Sequence, residues 1–386
     1  MALQTPTPSA SYAQSATYKL DLSEVLSAIL LDDADFISTI GISNEVATQT
    51  KHQWDEDALN AVTALQSGGT QAQMALGTTS GTVIRFSSSQ IGRITAGTLL
   101  KDTISGSTEV IQVTAVSSTS ATVVRGYGAT SAQTHAAAAT WDIIANARPQ
   151  GMAGPADESN ARSRKFNYTQ IFSKGVNLTG TAIAIQHNGI ASEDMYQIDM
   201  RMRELKRELD RTAIMGVTGG DAGTSTYTTM GGVIDFVGFQ NGGNNADTAQ
   251  TLTPSVINSQ AKKVYNNGGT PDLILVGGTQ KQKISAFDQE FRRSTMDSRR
   301  AGFTIDEFVS DLGWNLRVVV DRWVPSDVML ILDSSRVKIL PLNGRAFFLE
   351  KLAKTGDREQ WQVVGEYTME VRNADKAHAY AFNLKQ

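Results

Sequence analysis

Apolar residues recur at spacings of three and four between Ser192 and Gly216: Met195, Ile198, Met202, Leu205, Leu209 and Ala213. That spacing puts them on one narrow stripe of a helix. Asp199 with Arg203 and Lys206 with Asp210 are opposite charges four apart, so the remaining faces are dressed for water or for a polar partner. Ser192 is placed to cap the start, Glu193 and Asp194 suit the positive end of the dipole, and Gly216 is placed for a left-handed stop. At 1.5 Å per residue such a helix spans about 36 Å. A thin seam under a charged rod predicts a helix laid across a flat sheet, with neighbours along its sides.

Elsewhere the pattern divides the chain. Residues 1–19, with Pro6 and Pro8 in a Ser/Thr/Ala background, read as an extended arm with nothing to bury. Asp21 precedes Leu22, Val25, Leu26, Ile29 and Leu30, which predicts a short amphipathic helix closed by Asp32, Asp33 and Asp35. From Thr78 the texture turns to β-branched alternation, with strands expected at 82–86, 108–116, 121–125 and 140–144. Residues 116–121 read as a hairpin link and Gly126-Tyr127-Gly128 as a second turn. The expectation is a small β-barrel or sandwich inserted into another domain. Its flanks, 45–66 and 158–186, are polar and partly extended, as two arms of one long β-loop would be.

After the long helix, a Gly/Thr/Asn-rich connector runs to Thr253-Pro254, which opens a helix ending before Gly268-Gly269. Leu273–Val276 reads as a buried strand, Thr279–Phe291 as a helix, and Thr304 with Glu307 as the capping box of a short helix ended by Gly313. Strands follow at 314–320, 327–332, 336–340, 346–352, 359–372 and 377–384. Helices and strands mix without a βαβ repeat, so the fold class is α+β.

Composition narrows the chemistry. The 386 residues are 40% hydrophobic and 19% charged, ordinary globular values, and there is no cysteine for disulfides or thiolate metal sites. The formal net charge of −4 argues against neutralising nucleic-acid phosphates with the whole surface. No apolar run approaches the roughly 20 residues that span a bilayer, and no membrane partner is expected. Phosphate-loop, zincin, nucleophile-elbow and EF-hand motifs are missing. His52, His135, His187 and His378 stand apart in sequence and read as surface or packing residues. Gly277-Gly278-Thr279 reads as a tight turn with a helix cap, and the Asp32, Asp33, Asp35 cluster as a solvated helix end. Lys281, Lys283, Arg292, Arg293, Arg299 and Arg300 form the one strong charge asymmetry, read as a subunit contact in preference to a nucleic-acid contact. No catalytic residue, cofactor or metal ligand is expected.

Three stretches carry a resemblance: Arg164-Lys165-Phe166-Asn167-Tyr168-Thr169-Gln170-Ile171-Phe172, Thr179-Gly180-Thr181-Ala182, and Gly365-Glu366-Tyr367-Thr368-Met369-Glu370-Val371. With the order of arm, interrupted β-loop, long helix and C-terminal strands, the chain resembles the major capsid proteins of tailed, short-tailed-type bacteriophages with the Hong Kong 97 fold. The segment Val123-Val124-Arg125-Gly126-Tyr127-Gly128-Ala129-Thr130, with His135 downstream, is similar to small β-domains of phage structural proteins.

The resemblance implies an arm and short helix at 1–50, an extended β-loop at 51–77 and 147–186, and an inserted β-barrel-like domain at 78–146. It further implies a peripheral domain with the spine helix at 187–216 and 361–386, and an axial domain at 217–360 from which some strands return. The implied function is a non-enzymatic subunit that self-assembles into the icosahedral head enclosing double-stranded DNA. The implied location is the virion, after assembly in the host bacterial cytoplasm. Implied partners are copies of the chain in hexamers and pentamers, a separate scaffolding protein, a portal, packaged DNA held by weak nonspecific contact and, where present, a decoration protein. Too few residues precede the arm for a built-in scaffolding segment, so such a segment is expected to be a separate protein or to be removed. Candidate subunit contacts are Arg162, Arg164, Lys165, Lys174, Arg203, Arg207, Arg292, Arg293, Arg299 and Arg300. The alternatives are a phage tail or baseplate protein or adhesin, which would need no spine helix, and an α/β enzyme, for which no catalytic set is visible.

Overall fold

The structure, a computed structural model, describes residues 34–66, 81–102, 107–135, 139–148, 150–151, 159, 161–185, 192–220, 227–240, 244–247, 249–287, 307–354 and 356–385. The expected arm at 1–19 and the helix after Asp21 lie outside the described residues. The first described element is α1 (Asp35–Ile40), whose Phe36 and Ile37 are buried. Asp35 therefore opens a helix, where the sequence reading had it closing one. After α1, strand β1 (Lys51–Glu56) pairs with β8 (Ser163–Tyr168), so the two arms flanking the insertion meet as a ribbon.

Residues Asp55–Ser163 form one compact unit and the described residues on either side form the other. In the Asp55–Ser163 unit, β2 (Thr63–Leu65), β3 (Val83–Arg85), β4 (Thr98–Asp102), β5 (Val110–Val116), β6 (Ser120–Val124) and β7 (Thr140–Asn146) make a six-stranded sheet. Its order is β2-β7-β4-β5-β6-β3, and a bridge between Gln66 and Phe86 joins the two ends into a barrel. Alternation drives it: Ile111 and Val113 of β5 and Ala121 and Val123 of β6 point into a core with Ile84, Phe86, Leu100 and Trp141. The Trp141 indole N–H donates to Gln66. A one-turn helix, α2 (Ser88–Ile91), seals it with Ile91. The unit is wider than 78–146, because β2 belongs to the barrel sheet although its residues fall in the expected loop.

In the other unit, β9 (Gln170–Thr179) runs antiparallel to β17 (Arg358–Val371) from Gln170 opposite Tyr367 to Thr179 opposite Arg358. Between β9 and the long helix lies α3 (Gly180–Ala184), capped by the Thr179 hydroxyl. The long helix is α4 (Glu193–Met215), and it packs on β9 and β17. Leu205, Leu209 and Ala213 are fully buried, with Ile198 and Met202 packed at the edge of the same core.

Three local expectations for α4 change. Met195 is 65% exposed, because the stripe runs past the sheet before its N-terminal end. The Ser192 hydroxyl donates to the Asp194 carboxylate and caps no backbone N–H. Gly216 has φ −58°, so no left-handed stop occurs; it is needed for close approach. A Cβ there would sit 2.4 Å from the carbonyl oxygens of both Met230 and Thr212. Gly216→Ala is therefore expected to lower stability by about 1–3 kcal/mol through forced backbone shifts, measured by thermal melting; an unchanged melting temperature would remove this reading.

A π-helical turn at Asp235–Gln240, unanticipated in the connector, leads to β10 (Asn245–Asp247), followed by α5 (Pro254–Asn266), β11 (Leu273–Val276), α6 (Gly278–Ala286), β12 (Glu307–Val309), β13 (Asn315–Val320) and β14 (Met329–Leu332). The strands β15 (Val337–Pro341) and β16 (Phe348–Lys351) flank β17, and β18 (Ala379–Phe382) completes a mixed sheet ordered β10-β18-β14-β11-β13-β12. β11 and β14 are apolar throughout because both their faces are covered. Leu273, Leu275, Leu330 and Leu332 share the core of α4, while Ile274, Val276, Met329 and Ile331 pack with Ile257 and Val264 of α5. Glu307–Val309 is a hairpin strand paired with β13, which overturns the short helix proposed from its capping box. Its partner strand supplies hydrogen bonds that outweigh the local helix signal, and Gly313, at φ +83°, sits in the hairpin turn.

Candidate assembly surfaces

The motif stretches at 164–172 and 365–371 converge. Asn167 is fully buried: its amide N–H donates to the carbonyls of Gly231 and Met369, and its oxygen accepts from the N–H groups of Gly231 and Tyr168. The Thr169 hydroxyl donates to Glu366 at 2.6 Å, Arg345 pairs with the same carboxylate at 2.9 Å, and the Thr368 hydroxyl donates to the Tyr168 carbonyl. These residues lock the β-ribbon to the body of the unit, a role their sequence alone does not reveal.

The contact candidates fall on several elements. On α4, Arg203 pairs with Asp199 at 2.9 Å and stays exposed, and Arg201 pairs with Glu204 at 2.8 Å. Lys174 reaches from β9 to Glu208 at 3.1 Å. Lys174, Glu204, Arg207, Glu208, Arg211 and Trp323 line a groove of about 410 Å³, with the Arg211 guanidinium 5.6 Å from the Trp323 ring centroid. The groove thus unites Lys174 and Arg207, two candidates from different elements. Arg162 is exposed and lies 3.8 Å from Asp57, Arg164 is exposed, and Lys165 is half-buried on β8. Arg292, Arg293, Arg299 and Arg300 lie outside the described residues, as do Phe291 and Phe303; Phe287 packs against the core of α5.

Two buried charge clusters were not anticipated. Asp210, expected to pair with Lys206 on the polar face, is fully buried, and its Oδ1 accepts the Ile37 N–H at 2.8 Å. Asp321, also buried, accepts the Phe36 N–H at 3.2 Å and the Trp323 N–H at 2.8 Å. Burial first, and the adjacent Asp321 carboxyl second, push Asp210 up to about 8, against the lowering effect of the Ile37 N–H. In the barrel, His135 lies between Asp102, 2.7 Å from Nδ1, and Glu109, 2.9 Å from Nε2. Arg125 grips Glu109 with Nε and Nη2, each at 2.7 Å, and the backbone N–H groups of Gly126 and Gln133 donate to it. Burial alone would raise Glu109, but the hydrogen bonds from Arg125, Gln133, His135 and Gly126 outweigh it and hold the carboxyl at about 2.

His378 is packed with Nδ1 accepting the Asp333 N–H at 3.2 Å, and burial lowers it to about 4. His52 lies 3.3 Å from Glu370, and His187 lies outside the described residues. Among the described residues no group of three or more His, Asp or Glu side chains is arranged to hold a metal ion. No described helix is long and apolar enough to cross a membrane.

A braced β-ribbon, a charged long helix over a sheet and a self-contained barrel together have the build of a structural subunit. The chain belongs to the SU10 major capsid protein family, whose model matches residues 5–385. It is 22% identical over 280 residues to the major capsid protein of Escherichia phage Phieco32, covering 59% of this chain and 78% of that protein. Among solved structures, one from Mycobacterium phage Adephagia aligns at a TM-score of 0.48 with 12% identity over 95% of each chain. The cyanophage A-1(L) capsid asymmetric unit aligns at 0.48 with 10% identity over 63% of this chain and 85% of that one. The protein is thus a structural component of a phage virion that forms the capsid shell. Neither family nor relatives support the tail, baseplate or adhesin alternative.

Proposed function

We propose that copies of this chain meet as hexamers and pentamers of an icosahedral shell, laid out in the Hong Kong 97 manner, with the polar sides of α4 and the Lys174–Arg207 groove as subunit contacts. The observation that carries this is the division of α4, which buries one narrow seam and leaves Arg203 and the groove-lining Arg207 on its charged flanks. In this reading 187–216 and 361–386 form the peripheral domain, 217–360 the axial domain and 51–77 with 147–186 the extended loop, while the barrel faces outward. Scaffolding protein and portal act during assembly in the host cytoplasm. DNA inside is held by weak, nonspecific contact, as the net charge of −4 favours. Arg162, Arg164, Lys165 and the basic residues at 292–300 serve further contacts.

The test reverses charge without touching the seam. Arg203→Glu and Arg207→Glu are expected to keep the wild-type circular dichroism spectrum and melting temperature, since the charges of exposed Arg203 and half-buried, groove-lining Arg207 contribute roughly 0–1 kcal/mol. Shell formation measured by sedimentation is expected to be lost, because like charges across a contact repel by several kcal/mol. Normal shells from both variants would remove α4 from the contact surface.

A further inference from the structure

The seat of α1 is built on two acids where two neutral acceptors would serve. Phe36 and Ile37 enter the core of α4, and their backbone N–H groups are received by Asp321 and Asp210 respectively. Asp210 Oδ2 is buried and receives no N–H or O–H donor, while the neighbouring side chain is another carboxyl. An oxygen of that kind is costly when charged and unpaired. A single proton placed between the two carboxyls satisfies it, leaving one negative charge shared by a pair that also accepts two backbone donors.

We propose that the Asp210–Asp321 pair is a proton-dependent latch: with a shared proton it seats α1, and on losing that proton to solvent it releases α1. The unprotonated pair places two like charges under a helix of only six residues, held otherwise by the packing of Phe36, Ile37 and Ile40 and by the Ile42–Ile339 bridge that follows it. On the element that leads into Asp321, Arg317 of β13 and the adjoining Arg322 are exposed. Asp35 of α1 adds repulsion. On α4, Lys206 is exposed, Arg207 lines the outer groove and Arg211 lies over Trp323. On β9, Lys174 is engaged by Glu208, and on β15, Lys338 is engaged by Glu45.

The direction follows from the raised value of Asp210. Its folded form holds the proton more tightly than the unfolded chain does, so the stabilisation is full below about 3.8 and is lost as pH climbs to about 8. The latch therefore weakens steadily through neutrality and is fully weakened by about pH 8. This holds for the subunit itself, however subunits meet.

Hydrogen exchange of the full chain at pH 6 and pH 9.5, corrected for intrinsic base catalysis, reads the latch directly. Protection of the Phe36 and Ile37 amides is expected to fall about tenfold per pH unit up to about 8 and to level off above it, while β11 stays protected. Asp210→Asn and Asp321→Asn, which supply an amide donor in place of the proton, are expected to flatten that dependence. Should neither variant fold, the wild-type titration decides alone: loss at α1 with β11 unchanged supports the latch. Flat protection at α1, parallel loss at α1 and β11, or the wild-type dependence persisting in both Asn variants would overturn it.

Discussion

Leu205→Asp is expected to unfold the subunit. Leu205 is fully buried at the centre of a core that also holds Leu209, Phe172, Met369 and Phe36. Removing its side chain forfeits about 2–5 kcal/mol of packing, and the new carboxylate would be buried with no cation beside it, at a further cost of several kcal/mol. The sum rivals the whole stability of an ordinary domain, roughly 5–15 kcal/mol. Asp210, five residues on and itself buried, adds a second acid to the same interior. Circular dichroism should show no cooperative melt for this unit, and sedimentation should show no particles. A Leu205→Asp protein melting near the wild-type temperature would sink the seam on which the architecture of this unit rests.

The second large effect lies in the barrel. Glu109→Gln removes the charge that Arg125 grips and that His135 Nε2 faces, leaving the buried Arg125 guanidinium without its carboxylate. Both ring nitrogens of His135 face a carboxylate oxygen, Asp102 at Nδ1 and Glu109 at Nε2. Breaking one side of such a buried network costs about 3–5 kcal/mol. The loss should be local: exchange at β5 and β6 accelerates while β11 and β14 keep their protection.

The pH dependence of the barrel carries its own sign. Glu109 is depressed to about 2, so its stabilisation is full above about 4.5 and disappears as pH falls toward 2. Wild-type barrel protection should therefore decline over that acid window, and the decline should be absent in Glu109→Gln. An identical acid profile in the two proteins would show that the network contributes nothing to folding.

What could be read in advance was whatever a local period encodes. The spine helix was expected between Ser192 and Gly216 and occupies Glu193–Met215, because its apolar spacing and acidic first turn agree. The strands of the mixed sheet announced themselves by short, wholly apolar runs such as Leu273–Val276 and Met329–Leu332. Signals failed where tertiary context overrode them. β4 escaped notice because two of its three inward positions are Thr98 and Asp102, so its burial alternates while its hydrophobicity does not. Glu307–Val309 carried a capping box yet pairs with β13.

The contact surface was legible in part. Spacing put Arg203 and Arg207 on the polar sides of α4, but only the fold brings Lys174 of β9 into one groove with Arg207. Asp210 was misplaced because a charge four residues from a lysine reads as an exposed pair. The signal that could have found it is Ile214, one turn further along the same side and also buried, which widens the seam to include position 210. The ties between Thr169 and Glu366, and between Asn167 and Met369, connect residues about two hundred positions apart, a separation no local pattern bridges.

Cryo-electron microscopy of purified virions carrying this chain tests the central claim most directly. The account predicts density for this chain repeated over a closed icosahedral head, with the flanks of α4 against neighbouring copies. Density for the chain confined to the tail or baseplate, or a head wall built from some other protein, would contradict it.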